Sequence, residues 1–381
     1  MGFINKKQNI LLYTLIIIIL FSSEDCMISF HYHKVMYVNL MLALGVVGLS
    51  LFSKKHVDRK KIMSLFILFF FIIASMIFNL DFSGLSMFVI LAIAFCLTEI
   101  FDSNSFYNAF ENIIFFITLL ALALFVVKFI TGISFGIIDE IFYLEINPAL
   151  PWGYRLYGVF REPAMYCIYI GLALGKVVYF DKSNKWLKLI TYGLSLVLTG
   201  SITGYIAVVF LLVISYFILP HSTSWRLGCL ILVITAFIFM FIKYNGFFIY
   251  LIKRFATTGS SSHSSNSRYY SVLIGGLIGL LNPIFGAGAV KSQRLFEEIV
   301  LKMTGISLCW ANMITYLFAS FGFCYIVVML YGLYGFFSVK SKKIGMTFII
   351  TICLLLCGET MTYSSIIYIF MFYGYGIRGK S

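Results

Sequence analysis

Ile62-Met-Ser-Leu-Phe-Ile-Leu-Phe-Phe-Phe-Ile-Ile-Ala-Ser-Met-Ile-Phe-Asn79 decides the fold class. Like Ile113 to Ile130, it carries almost no charge and matches the roughly 20 residues needed to cross a ~30 Å hydrocarbon core. Such runs recur along the whole chain, with charged residues gathered in short segments between them. The expectation is one all-α, polytopic membrane domain over residues 1–381, with no soluble domain attached and no repeat of fixed period.

Composition agrees. The chain is 61% hydrophobic and 11% charged, with 41 Phe and 25 Tyr, which excludes a soluble globular fold whose surface must face water. The net charge of +13 sits mainly in short loops between apolar spans, where excess Lys and Arg mark the cytoplasmic side. Orientation accounts for that charge without a nucleic-acid partner. Cys26, Cys96, Cys167, Cys229, Cys309, Cys324, Cys353 and Cys357 lie singly in apolar segments without metal-ligand spacing, so no metal, no cofactor and no obligatory disulfide is expected. Lys6 and Lys7 precede an apolar run, but Ser22, Ser23, Glu24 and Asp25 offer no small-x-small cleavage site, and the run reads as a retained helix.

Helices are expected at about 9–22, 35–53, 62–79, 84–100, 112–133, 164–180, 187–200, 203–219, 227–244, 312–337, 344–358 and 362–377, about 12 in all. Placing the basic segments 54–61, 181–188, 338–343 and 378–381 inside requires this even count with both termini cytoplasmic. The loop of Asp102 and Glu111 departs from the pattern, having no Lys or Arg. Leu189 to Leu219, interrupted at Thr199 to Gly204, is too long for one ordinary span and reads as two short helices meeting at the outer face, with a tilted or broken single helix as the alternative. Two long outer segments remain, 134–163 and 245–311.

The first outer segment ends in Trp152-Gly-Tyr-Arg155-Leu-Tyr-Gly158-Val-Phe-Arg161-Glu162-Pro163. If helical, it puts Arg155, Gly158 and Glu162 on one face and points Arg161 elsewhere. Guanidinium groups there suit a phosphate clamp, since they donate bidentate hydrogen bonds and stay charged. Interfacial anchoring by Trp152, Tyr154 and a snorkelling Arg161 fits the same residues.

The second outer segment has Arg254, a Ser-rich stretch from Thr257 to Ser267, and then Arg268-Tyr269-Tyr270. Arg254 and Arg268 suit closure over a diphosphate, and Tyr269 and Tyr270 offer flat faces for sugar rings. A polar tether whose end charges meet anionic membrane lipids fits as well. His263 has the right pKa range for a base, but a flexible run does not give it fixed geometry. Asn282-Pro-Ile-Phe-Gly286-Ala-Gly288 reads as a tight turn, not a nucleotide fingerprint.

Arg155-Leu-Tyr-Gly158-Val-Phe-Arg-Glu162-Pro163, then Ser201-Ile-Thr-Gly204, then Arg268 followed by Asn282-Pro-Ile-Phe-Gly286-Ala-Gly288, resembles in order and placement the O-antigen polymerase and ligase superfamily. The resemblance implies a GT-C-like bundle in a bacterial inner membrane. It also implies metal-independent transfer of a growing glycan from polyprenyl diphosphate to the non-reducing end of another lipid-linked repeat unit, with a chain-length regulator as a further partner. Arg155, Arg161, Arg254 and Arg268 would hold the diphosphate, and Glu162 would orient or deprotonate the acceptor hydroxyl. The ligase branch carries a His-Asn pair where this chain reads Ala311-Asn312, which favours a polymerase and leaves Asn312 as a secondary candidate. The competing readings are an O-antigen ligase and a lipid-linked oligosaccharide flippase or secondary transporter. A transporter should carry ionisable residues near the midplane, and only Ser201 to Gly204 and Glu359 hint at that.

Overall fold

The computed structural model describes residues 2–23, 25–27, 41–42, 45–49, 58–133, 136–147, 150, 153–180, 185–201, 204–207, 210 and 263–377. These residues are largely helical, and Arg59–Asn79, Phe82–Ile100 and Ser103–Thr131 are long and apolar enough to cross a membrane. The elements used below are α1 (Gly2–Ser22), α2 (Arg59–Asn79), α3 (Leu85–Ile100), α4 (Ser103–Thr131), α5 (Ile137–Ile141), β1 (Leu144–Ile146) and β2 (Tyr154–Leu156). They continue with α6 (Pro163–Tyr179), α7 (Lys185–Thr199), α8 (His263–Leu281), α9 (Ala289–Thr304), α10 (Met313–Phe321), α11 (Phe323–Phe337), α12 (Lys342–Leu356) and α13 (Ser365–Ile377).

Short polar side chains fix where helices begin, because the first amides of a helix lack intrahelical acceptors. Asp58 accepts from the Lys60 amide at 2.9 Å to start α2, and Asp102 accepts from Asn104 and Ser105 at 3.1 and 2.9 Å to start α4. Asn312 does the same for α10 through the Thr315 amide, 3.0 Å away. Pro163 starts α6, where its missing N–H costs nothing.

The middle of the bundle is α6 and α13. Every residue of α6 is buried, as is α13 from Ser365 to Gly374. Helix α13 lies against α11 and α3. The approach to α11 depends on glycine: a Cβ on Gly374 would stand 1.8 Å from the Gly332 carbonyl oxygen. The periphery is the reverse of a soluble protein, with Phe66, Phe70, Ile73 and Ile77 of α2 and Phe116, Leu119 and Ile130 of α4 exposed, faces suited to hydrocarbon.

The two ends of the bundle differ. At one, Lys61 opens α2 and pairs with Glu99 near the end of α3 at 2.8 Å. There too Lys188 and Lys176 meet the fully buried Glu111 at 2.5 and 3.6 Å, and Lys340 donates to the Tyr179 carbonyl at 2.6 Å. At the other lie the β1–β2 hairpin, the start of α6 and the α12–α13 loop.

The structure corrects several expectations. Residues 154–162 are not helical: Tyr154–Leu156 is a strand paired antiparallel with Leu144–Ile146, and Gly158 turns the chain at φ +61°, so Arg155, Gly158 and Glu162 share no helix face. The described part of segment 245–311 contains two helices, α8 and α9, and the Ser-rich stretch is already helical from His263. Helix α9 buries Ala289, Ser292, Phe296 and Val300 at helical spacing, and Asp81 holds its first turn by accepting from the Val290 amide at 2.7 Å. Burial acts upward on the Asp81 carboxyl, but the Ser83 hydroxyl and the Ser83, Val290 and Lys291 amides outweigh it and hold it below the usual range.

The span expected at 312–337 is interrupted at Gly322 (φ +89°), where a Cβ would stand 2.0 Å from the Ile284 carbonyl oxygen. The span expected from 112 begins at Ser103, which puts Glu111 inside α4 rather than in a loop. The long apolar stretch at 189–219 does break: α7 ends at Thr199, Gly200 turns at φ +59°, and residues 204–207 are helical again. The span at 227–244 lies outside the described residues, as do most of 35–53 and 203–219.

Candidate functional site

The β1–β2 hairpin, the α6 N-terminus, α8 and the α12–α13 loop bring charged groups together at one end of the bundle. Antiparallel register sets Arg155 opposite Glu145, a cross-strand pair, with Arg155 Nη1 3.8 Å from Glu145 Oε2. Arg155 Nε donates to the Thr199 carbonyl at 2.9 Å, one of the orphan acceptors at the end of α7. Tyr157 stands beside the guanidinium, 5.8 Å from ring centre to Cζ, and donates to Glu145 Oε2 at 2.5 Å. Burial, then this bond, pushes the Tyr157 phenol well above its ordinary range.

The turn that follows is pinned from below. The Met27 amide donates to the Val159 carbonyl at 3.0 Å and the Arg161 amide to the Asp25 carbonyl at 2.8 Å. Phe160 is stacked on Tyr169, with centroids 4.4 Å apart, and Tyr169 bonds Asp25 at 3.0 Å and Ser364 at 2.9 Å. One tyrosine therefore ties the end of α1, the start of α6 and the α12–α13 loop together.

Arg268 enters from α8. Its Nε donates to the Gly358 carbonyl at 3.1 Å and its Nη2 lies 3.4 Å from Glu359 Oε1. Glu162 occupies the N-cap position of α6 without a capping side-chain bond. Burial raises its carboxyl above the usual range, opposed by Arg155, Arg161 and Arg268. Glu359 is pushed up to about 7, again first by burial, with Arg268 and Arg155 pulling down and Glu162 pushing up. Glu162 and Glu359 repel, so both hold full charge only with counter-ions beside them.

Of the sequence candidates, Arg155, Arg161, Arg268 and Glu162 thus share one electrostatic neighbourhood. Tyr269 is exposed beside Tyr270, with their ring centres 5.3 Å apart. Asn312 is buried at the start of α10, where its side-chain oxygen caps the helix through the Thr315 amide. Helix α8 begins at His263, whose side chain lies outside what is described, as does all of Arg254.

Sequence reasoning missed Glu145, Thr199 and the role of Glu359. Glu145 was recoverable only by seeing the hairpin, since its partner is set by strand register. Glu359 was visible as an acidic residue between two apolar runs, but nothing in the chain tied it to Arg268.

The cluster holds guanidinium nitrogens that its own contacts leave open. Among the described residues Arg155 Nη2 and Arg268 Nη1 make no protein hydrogen bond, and donors held this way are preorganised. No family model matches the chain, and no curated protein matches it.

Proposed function

We propose that this chain is an O-antigen or other surface-polysaccharide polymerase of a bacterial inner membrane, a glycosyltransferase that takes its donor from polyprenyl diphosphate. The observation that carries the reading is the meeting of Arg155, Arg268 and Glu162, drawn from the separate sequence motifs that resemble the family, in one charged cluster. In this reading the protein is a single GT-C-like bundle of about 12 spans. Both termini and the Lys61, Lys188 and Lys340 end face the cytoplasm, and the arginine cluster faces outward.

The acceptor hydroxyl oxygen attacks C1 of the donor sugar while the bond from C1 to the diphosphate oxygen breaks, and the electron pair leaves with the diphosphate. Arg155 and Arg268, with Arg161 and Arg254 as further candidates to hold the diphosphate, stabilise that charge without a metal. Glu162 orients the acceptor hydroxyl or takes its proton. Tyr269 and Tyr270 offer faces for the sugar rings.

The purified protein in liposomes, given polyprenyl-diphosphate-linked repeat units, separates the readings by product. Longer glycans still linked to polyprenyl diphosphate, with one polyprenyl diphosphate released per unit added, are expected. Transfer only when a lipid A core is added would make it a ligase. Movement of substrate across the bilayer without chain growth would make it a transporter.

A further inference from the structure

Arg268 and Glu359 are each other's charge partner, yet Arg268 also belongs to the group of cations that an incoming diphosphate would seek. The geometry makes these demands compete. Arg268 Nε is anchored on the Gly358 carbonyl, so the guanidinium cannot move far. Its Nη2 contact with Glu359 is long, at 3.4 Å, and an anion arriving at the free Nη1 weakens it. The other charged groups acting on Glu359 are Arg155 from β2 and Glu162 from the start of α6. Arg155 is itself a clamp residue, and Glu162 repels. Once both arginines face a diphosphate, Glu359 is left half-buried beside a like charge, and a carboxylate so placed takes up a proton.

We propose that diphosphate binding at this cluster is coupled to proton uptake by Glu359. The inference rests on reading the cluster as a diphosphate site. It gives Glu359 a part distinct from that of Glu162: Glu359 already holds its proton once the diphosphate is bound, so it neither competes for Arg268 nor repels the charge that develops on the leaving group. As the new C1–O bond forms and the old one breaks with its electron pair going to the diphosphate, the proton of the acceptor hydroxyl passes to Glu162, which stays ionised until that step.

The test uses the full-length protein in detergent and inorganic pyrophosphate. Calorimetric titration at pH 7.5 in buffers of different ionisation enthalpy gives the protons taken up per ligand bound. The pyrophosphate's own ionisation is common to all variants and cancels between them. Wild type is expected to take up a proton that Glu359→Gln does not, Glu162→Gln to take up less than wild type because the like charge is gone, and Glu359→Gln to bind pyrophosphate more tightly because Arg268 has lost its rival partner. Equal uptake in wild type and Glu359→Gln would overturn the coupling and leave the clamp standing, whereas no binding by wild type would overturn both. Infrared difference spectra of wild type alone, independent of any variant's folding, should gain a protonated-carboxyl band on pyrophosphate binding, and absence of that band also overturns the coupling.

Discussion

Arg268 and Glu359 stand 91 residues apart in the chain, on α8 and on the α12–α13 loop, and meet with Nη2 3.4 Å from Oε1 while Arg268 Nε holds the neighbouring Gly358 carbonyl. A fork with two fixed contacts is something a lysine cannot reproduce. Replacing Arg268 by Ala should lower chain growth by a factor on the order of 10²–10³, the cost of losing one preorganised donor to a developing anion. Arg268→Lys should recover little of it, and the ratio of ladder intensities among the three proteins measures this.

Arg155 has a structural duty beside its proposed chemical one, because its Nε closes the end of α7 at the Thr199 carbonyl. Arg155→Ala should therefore lose activity and also about 1.5–3 kcal/mol of stability, as expected for a hydrogen bond to a charged group. Thermal unfolding in detergent separates the two effects.

Gly158 turns the chain between Arg155 and Glu162 at φ +61°, and a Cβ there would stand 3.1 Å from the Tyr166 ring. Gly158→Ala should cost roughly 1–2 kcal/mol from the left-handed backbone alone. Because the turn positions both charged residues, activity should fall further than stability, which paired activity and unfolding assays reveal.

Glu359 is raised from its ordinary value to about 7, so the folded state holds a proton there that the unfolded chain releases. The stability tied to that proton is fully present below about pH 4.5 and is lost as pH rises through about 7, on the order of 3 kcal/mol in total. Melting temperature should fall over this window, and Glu359→Gln should flatten the fall. An unchanged slope in the variant would show that another group carries the pH dependence.

At the opposite end, Glu111 is fully buried between Lys188 and Lys176. Glu111→Ala takes the buried carboxylate away from both lysines and should cost about 3–5 kcal/mol. The yield of folded protein in detergent is expected to collapse, while Glu111→Gln, which keeps an acceptor for the Tyr192 hydroxyl that donates to Glu111 Oε1 at 3.0 Å, should retain more of it.

The sequence made the membrane character and several helix positions legible because hydrocarbon length and hydropathy are local properties. Ile62 to Asn79 announces α2, and Pro163 announces the start of α6. It hid whatever depends on distant pairing. Strand Tyr154–Leu156 is aromatic and charged like any membrane boundary, and only its partner Leu144–Ile146 makes it a strand. The break at Gly322 is forced by the Ile284 carbonyl from another part of the chain, which no reading of 312–337 by itself could supply. The arginines were named from their chemistry, whereas Glu145 and Glu359 became visible only through what they touch.

The most direct test of the proposed function is chain growth by the purified protein in liposomes, supplied with polyprenyl-diphosphate-linked repeat units and no other acceptor, beside Arg155→Ala and Arg268→Ala. A ladder of longer glycans with matching release of polyprenyl diphosphate, collapsing in both variants while both remain folded, is the result expected. A wild-type protein that binds the lipid-linked unit without extending it, or a ladder unchanged in both variants, would contradict the account.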